Sequence, residues 1–281
     1  MRVLVTGARG LLGAAIVREF QGADVHAFDH QGLDVADEAA VHDVVAATKP
    51  DVVINCAAYN NVDRAEQEAE AALRVNALAV LALARAARDG GAALVHYSTD
   101  FVFDGEADRP YTEDDPPNPG SVYAASKLLG DWFARDAPRS YVLRVESLFG
   151  HPGPDGARRG SLAAIVDRIR EGAEVPVFVD RTVSPSYTTD VARATRAVLE
   201  RDLPPGLYHC VNAGAATWAE IGQKAARVLG LPFRMKPLTL ESARLAARRP
   251  RYCALSPGKL ADSGVVMPRW EDALRRYLDS A

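Results

Sequence analysis

"RVLVTGARGLLGAAIVREF", residues 2–20, runs from a short apolar stretch through three glycines into a stretch whose apolar residues recur at helical spacing. Val3, Leu4 and Val5 show no polar alternation, which is the pattern of a strand covered on both faces. Gly7, Gly10 and Gly13 follow at once. A strand entering a helix through such a turn lets the backbone approach a pyrophosphate and aims the first helical amides at the anion. The spacing is G-x-x-G-x-x-G rather than G-x-G-x-x-G, and taken alone it equally suits any β-α turn.

The alternation continues. "DVHAFD" (24–29), "DVVINCAA" (51–58), "ALVHYST" (93–99) and "SYVLRV" (140–145) read as buried strands. "EAAVHDVVAATK" (38–49), a long pattern over 64–90 closed by Gly90 and Gly91, and the stretch around Tyr123 read as helices between them. The series predicts an α/β, Rossmann-like doubly wound parallel sheet with helices on both faces over 1–150, completed by part of 181–211. After Gly150, "HPGPDGARRG" (151–160) reads as a loop. Short extended pieces and helices then follow in "PVFVDRTVSPSYTTDVARATRAVL" (176–199), "GLYHCVNAG" (206–214), "TWAEIGQKAARVLGL" (217–231) and "PRWEDALRRYL" (268–278). Residues 151–281 are therefore expected to form mainly a smaller α/β, substrate-binding lobe beside the carboxyl ends of the strands.

Composition narrows the function. The 281 residues are 48% hydrophobic and 25% charged with a net charge of −4, and Lys and Arg are scattered, so no basic face for nucleic acid is expected. Arg248, Arg249 and Arg251 read as a solvated loop. Cys56, Cys210 and Cys253 form no C-x-x-C pair and the histidines show no ligand spacing, so a reduced, cytoplasmic protein without a metal is expected. No window reaches the roughly 18 apolar residues of a membrane span, and "MRVLVTG" reads as a strand rather than an export signal.

Asp29 ends the second strand 22 positions after Gly7, where an acid accepts from an adenosine ribose 2′-hydroxyl, which favours NADH. Arg9 lies inside the loop and could instead neutralise the 2′-phosphate of NADPH. Asp34 and Val35 in "LDVAD" fall at the distance of an adenine pocket, although an aspartate capping the next helix explains the stretch as well. In "VYAASK" (122–127), Tyr123 and Lys127 are four positions apart and would leave one helix face together. An ordinary amphipathic helix would show the same pair.

Larger motifs resolve the question: "TGARGLLG" (6–13), "NCAAYNNVDRAEQE" (55–68), "VNALAVLALARAA" (75–87), "HYSTDFVFDGEADRPYTEDDPPNPGSVYAASKLLGD" (96–131) and "RPRYCALSPGKLADSGV" (249–265). Together they resemble the extended short-chain dehydrogenase/reductases, and within them the dTDP-4-dehydrorhamnose reductase family, strongly over the first 135 residues and loosely beyond. The resemblance implies an NAD(P)H-dependent reductase of a nucleotide-linked 4-keto-6-deoxy sugar, most simply dTDP-linked. Thr99, Tyr123 and Lys127 would be the catalytic set. Gly7, Arg9, Gly10, Leu11, Leu12 and Gly13 would hold the dinucleotide at the turn, with Asp29, Asp34 and Val35 at its adenosine end. Ala57, Ala58, Tyr59 and Asn60, together with Tyr123 and Lys127, would complete the cofactor site. A free phenol titrates near pH 10, and the Lys127 ammonium would favour its ionised form while reaching the nicotinamide ribose.

Thr99, Asp100 and Glu146 would face the sugar. One segment departs from the family, which shows an R-T-S-W type run where this chain has "RVESLFG" (144–150). Ser147 replaces the tryptophan, and Glu146 is either a capped surface residue or a contact to the sugar. The acid pair of a dehydratase is missing in sequence, because Phe101 follows Asp100. Another extended reductase or epimerase acting on a different keto sugar, or a cofactor-binding regulatory subunit, remains an alternative. Helices around 65–90 and 119–135 would pair two subunits as in many relatives, making a homodimer.

Overall fold

The structure, a computed structural model, describes residues 1–151, 153 and 160–280. The first part runs β1 (Arg2–Thr6), α1 (Leu11–Glu19), β2 (Asp24–Phe28), α2 (Glu38–Thr48), β3 (Val52–Asn55), α3 (Val62–Ala65), α4 (Ala69–Leu73), α5 (Ala79–Gly90), β4 (Ala93–Thr99), α6 (Val122–Ala134) and β5 (Ser140–Val145). Then come β6 (Leu148–Phe149), α7 (Ser161–Arg170), β7 (Val175–Phe178), β8 (Thr182–Val183), β9 (Ser186–Tyr187), α8 (Thr188–Glu200) and β10 (Gly206–His209). The chain closes with β11 (Ala216–Thr217), α9 (Trp218–Leu229), β12 (Met235–Leu238), α10 (Leu240–Ala243), α11 (Gly258–Asp262) and α12 (Trp270–Asp279).

Six strands form one sheet in the order β10-β5-β4-β3-β1-β2, and every pairing in it is parallel. The apolar runs explain this, since β3, β4 and β5 are buried at every position. One face packs under α1 and α8, the other under α2 and α5. The chain leaves β1 toward β2 and then returns past β1 to β3, so the connections diverge between β1 and β3. A crevice opens there at the carboxyl ends, immediately beyond the paired residues Thr6 and Asn55.

A second hydrophobic cluster gathers Phe149, Trp218, Trp270 and Tyr277. It is roofed by three two-stranded ladders, β6 with β9, β7 with β12 and β8 with β11. Arg276 of α12 donates to both carboxylate oxygens of buried Asp190 on α8 at 2.8 and 2.7 Å, fastening the terminal helix to the helix beside the main sheet. No helix among the described residues is long and apolar enough to cross a membrane.

The helix expected over 64–90 is interrupted. It divides into α3, α4, a π-helical turn over Arg74–Leu78 and α5. Asn76 explains the wide turn: its Oδ1 accepts from Tyr59 N at 2.8 Å, and its Nδ2 donates to Tyr59 O and to Ser126 Oγ at 3.1 and 3.0 Å. Helix α6 crosses closely there, since a Cβ on Gly130 would lie 2.2 Å from Asn76 O. Of the loop expected over 151–160, residues 152 and 154–159 lie outside the described residues.

Candidate functional site

The glycine turn is built for close approach. Gly7 has φ +64°, and a Cβ there would lie 2.7 Å from Ala57 N; a Cβ on Gly13 would lie 2.2 Å from Gly7 O. Helix α1 can therefore start hard against the turn, and Gly10 opens it without a side-chain cap. In front lie two cavities of about 560 and 610 Å³ that share Gly10, Cys56, Ala57, Ala58 and Asn60 as lining. Leu11, Leu12, Thr99, Tyr123 and Lys127 line the first, and Asp29, Asp34, Val35 and Tyr59 the second. The elongated, glycine-floored trough across the ends of β1 and β3 fits a dinucleotide.

At the outer end, one oxygen of Asp29 accepts from Gln31 N and Gly32 N at 3.0 and 2.9 Å. The other meets Arg9 Nε at 2.9 Å. The backbone donation from Gly32, helped by Arg9 and opposed by some desolvation, holds the carboxyl below its usual range. The two readings of "LDVAD" separate: Asp37 caps α2 by accepting from Ala40 N, while Asp34 turns the chain by accepting from Ala36 N and lines the cavity.

At the inner end, Ser121 caps α6 by accepting from Ala124 N, and Tyr123 and Lys127 stack one turn apart on its buried face. Thr99 ends β4, and its hydroxyl accepts from Phe101 N at 3.3 Å and donates to Asp100 Oδ1 at 3.0 Å. Thr99 both caps the turn and lines the cavity together with Tyr123, whose ionised form it favours. Burial first, then the Asp100 carboxylate, pushes the Tyr123 phenol well above its ordinary value.

Lys127 is engaged with the sheet. Its Nζ donates to Tyr97 O at 2.6 Å and lies 3.5 Å from His96 Nε2, rather than bonding Tyr123. Asn55 Oδ1 accepts from Thr6 Oγ1 and Ala57 N, which turns Asn55 Nδ2 toward His96 Nδ1 at 3.2 Å. That network assigns the imidazole proton to Nε2, on the side of the lysine. Burial lowers the Lys127 ammonium to about 8, against the opposing pull of Asp131 and Cys56. The same burial, followed by the Lys127 charge, keeps His96 well below its usual value and hence neutral. Among the described residues all three cysteines are free, and burial raises the Cys56 thiol beyond any reactive range.

Glu146 corrects the surface reading. It is 1% exposed and lines the inner cavity, and its Oε2 accepts from Ser184 N at 2.7 Å. Ser147 beside it takes φ +43°, an unusual conformation for a residue with a Cβ, which swings Glu146 inward as the chain leaves β5. An oxygen from each of Asp100 and Glu146 and the Cys253 sulfur lie within 4.8 Å of one another. Arg181 supplies the positive charge there, 3.8 Å from Asp100 Oδ2 and 3.5 Å from Cys253 Sγ.

The arginine run near the end of the chain is likewise not wholly a solvated loop. Arg248 pairs with Glu106 at the surface, whereas Arg249 turns inward, bonds Asp63 at 2.8 Å and lies over the Phe101 ring at 5.7 Å. Phe101 meets Tyr123 edge to face at 5.6 Å. Sequence reasoning thus missed Asn55, Asn76, His96, Arg181 and Arg249. The one available signal was polar side chains at the ends of wholly apolar strands, as with Asn55 after "VVI".

The probable dTDP-4,6-dihydroxy-2-methyloxan-3-one 4-ketoreductase of Streptomyces antibioticus is 38% identical over 281 residues, covering 98% of this chain and 94% of that one. Methionine adenosyltransferase 2 subunit beta of Danio rerio is 36% identical over 276 residues, covering 92% and 84%. The crystal structure of dTDP-4-dehydrorhamnose reductase from Bacillus anthracis in complex with NADP superposes with a TM-score of 0.94 at 31% identity, covering 100% of this chain and 99% of that one. A family model described as RmlD substrate binding domain matches residues 1–281, and the chain belongs to that family.

Proposed function

We propose that the protein reduces the ketone of a nucleotide-linked 4-keto-6-deoxy sugar, dTDP-linked in the first instance, with NADPH or NADH. The observation that carries the reading is the meeting, in one trough, of the glycine turn with Thr99, Tyr123 and Lys127. The dinucleotide would be held by Gly7, Gly10, Leu11, Leu12 and Gly13 at its phosphates, by Arg9, Asp29, Asp34 and Val35 at its adenosine, and by Ala57, Ala58, Tyr59 and Asn60 along its length. When bound, the reduced nicotinamide supplies a hydride to a ketone carbon.

Tyr123 gives its proton to the ketone oxygen, and Thr99 hydrogen-bonds that oxygen as charge develops on it. A phenol held neutral by burial is an acid with its proton in place at physiological pH. Lys127 binds the cofactor's inner ribose, and its partial neutralisation by burial makes that exchange of partners easier. Asp100 and Glu146 contact the sugar, the latter from the position where the family has its R-T-S-W run. Leu78 and Trp132, each 54% exposed on the helical stretches expected to pair subunits, support a homodimer.

The test is NADPH consumption with dTDP-4-keto-6-deoxyglucose. Tyr123→Phe is expected to lose about 10²- to 10⁴-fold in turnover while binding NADPH as the parent does. The match to methionine adenosyltransferase 2 subunit beta favours one second reading, a cofactor-binding partner subunit. Tight NADPH binding with no turnover on keto sugars would select it.

A further inference from the structure

Asp100 and Glu146 are the residues that directly follow β4 and β5, whose last paired positions are Thr99 and Val145. Sheet register therefore sets the two carboxyl groups side by side, restoring in space an acid pair that the sequence lacks. Each is at least 97% buried, and each keeps one oxygen, Asp100 Oδ2 and Glu146 Oε1, without a hydrogen-bond partner. The groups facing them are Arg181 ahead of β8, Cys253 and Tyr252 of the closing segment, Tyr123 on α6 and the Ser184 amide. Arg249 lies over the Phe101 ring at 5.7 Å and is held by Asp63. Among the described residues, Arg181 is the one guanidinium that pairs with the two carboxyl groups. Two dry carboxylates opposite a single cation do not both stay ionised, because burial and mutual repulsion favour keeping a proton.

A path leads from this pair to the acid of the reaction. The Asp100 carboxyl accepts from the Thr99 hydroxyl at 3.0 Å, and Thr99 and Tyr123 line the same cavity. We propose that Asp100 and Glu146 share one proton and pass it through the Thr99 hydroxyl to Tyr123 after Tyr123 has protonated the substrate oxygen. The proposal rests on the ketone-reduction reading. The Tyr123 O–H bond breaks as the product O–H forms; the Thr99 O–H bond breaks as Tyr123 regains its proton; the shared carboxyl proton then restores Thr99. The pair is left doubly ionised against Arg181 and takes its next proton from water when the trough opens on product release. Burial first, moderated by Arg181, raises Asp100 to about 6, and burial and then the Asp100 charge raise Glu146 well above its ordinary value, as a proton-holding pair requires.

Glu146→Gln is the discriminating variant, because a glutamine carbonyl still accepts from Ser184 N while the second acid is gone. With dTDP-4-keto-6-deoxyglucose and NADPH, the basic limb of the kcat profile is expected to move down by about one to three pH units, with kcat recovered on acidification. A purely structural Glu146 would change KM or Tm and leave that limb in place, which would overturn the proposal. A second readout needs no substrate: the parent at pH 7 should show the infrared band of a buried protonated carboxyl, reduced in Glu146→Gln and Asp100→Asn. Absence of that band in the parent also overturns the proposal. A parent that shows the band yet reduces no keto sugar refutes the reductase reading, and the relay with it, but leaves the shared proton standing.

Discussion

Two alanines in the glycine turn should fail in different ways. At Gly13 a Cβ would sit 2.2 Å from Gly7 O and 2.9 Å from Ala8 Cα, both backbone atoms that cannot swing aside. Such overpacking costs roughly 3 kcal/mol, and the gain of alanine over glycine inside α1 returns up to about 1 kcal/mol. The net loss of about 2 kcal/mol lowers Tm by roughly 4–8 °C in a chain of this size. At Gly10 the nearest atom is Gly7 O at 3.2 Å, and the φ of −67° suits any residue. Gly10→Ala should therefore cost only a few tenths of a kcal/mol to about 1 kcal/mol, the loss of a good N-cap residue. Gly10 nevertheless lines both cavities, so the added methyl group falls where the proposed function puts the cofactor's phosphates. Thermal melts and NADPH titration by fluorescence would read the two effects. Gly13→Ala should melt early, and Gly10→Ala should melt near the parent but bind NADPH at least about tenfold more weakly, the equivalent of one good hydrogen bond. Equal melting of the two variants, or undiminished binding by Gly10→Ala, would refute the division of labour between the glycines.

Lys127→Met should stabilise the fold while abolishing turnover. The ammonium titrates at about 8 when folded against 10.5 unfolded, so its burial cost is full below pH 8 and fades as pH rises toward 10.5. Removing it should add about 1–3 kcal/mol at pH 7 after the lost bond to Tyr97 O is counted, and denaturant melts should no longer gain stability above pH 8. Arg9→Ala should weaken NADPH by roughly ten- to a hundredfold, the value of a charge-assisted hydrogen bond, with NADH little changed; Asp29→Ala should hurt NADH more, and paired KM measurements would check both. Arg276→Met strips buried Asp190 of both guanidinium contacts and should cost about 2–3 kcal/mol, a buried pair discounted for the partly exposed arginine, read as an earlier urea midpoint.

The main sheet was legible because a strand covered on both faces has no polar side to blur it, as in "VLV", "VVI" and "ALVHYS". Helical stretches with one buried stripe were equally clear. The break at Asn76 was not, because it arises from a side chain reaching Tyr59 and Ser126, residues 17 and 50 positions away. The cavity-lining residues at the glycine turn were readable because local spacing places them. Those contributed by the distant ends of strands and loops were not: Glu146 looks like any surface acid, and Arg249 like any basic loop, until register and the Asp63 contact turn them inward. Lys127 was identified in sequence, but its bonds to Tyr97 O and toward His96 depend on the side chains of β4 lying beneath α6.

The position of β10 has a consequence for synthesis. That strand closes the β5 edge of the sheet, yet about sixty residues separate the two in the chain. A ribosome adding roughly 5–20 residues per second needs about 3–12 s to deliver it. Throughout that interval the nascent chain displays a β5 strand whose six positions are all buried in the finished fold, with one row of amides and carbonyls open. Expression yield should therefore depend on how fast codons 146–205 are read and on which chaperones meet the growing chain, even when the finished protein is stable.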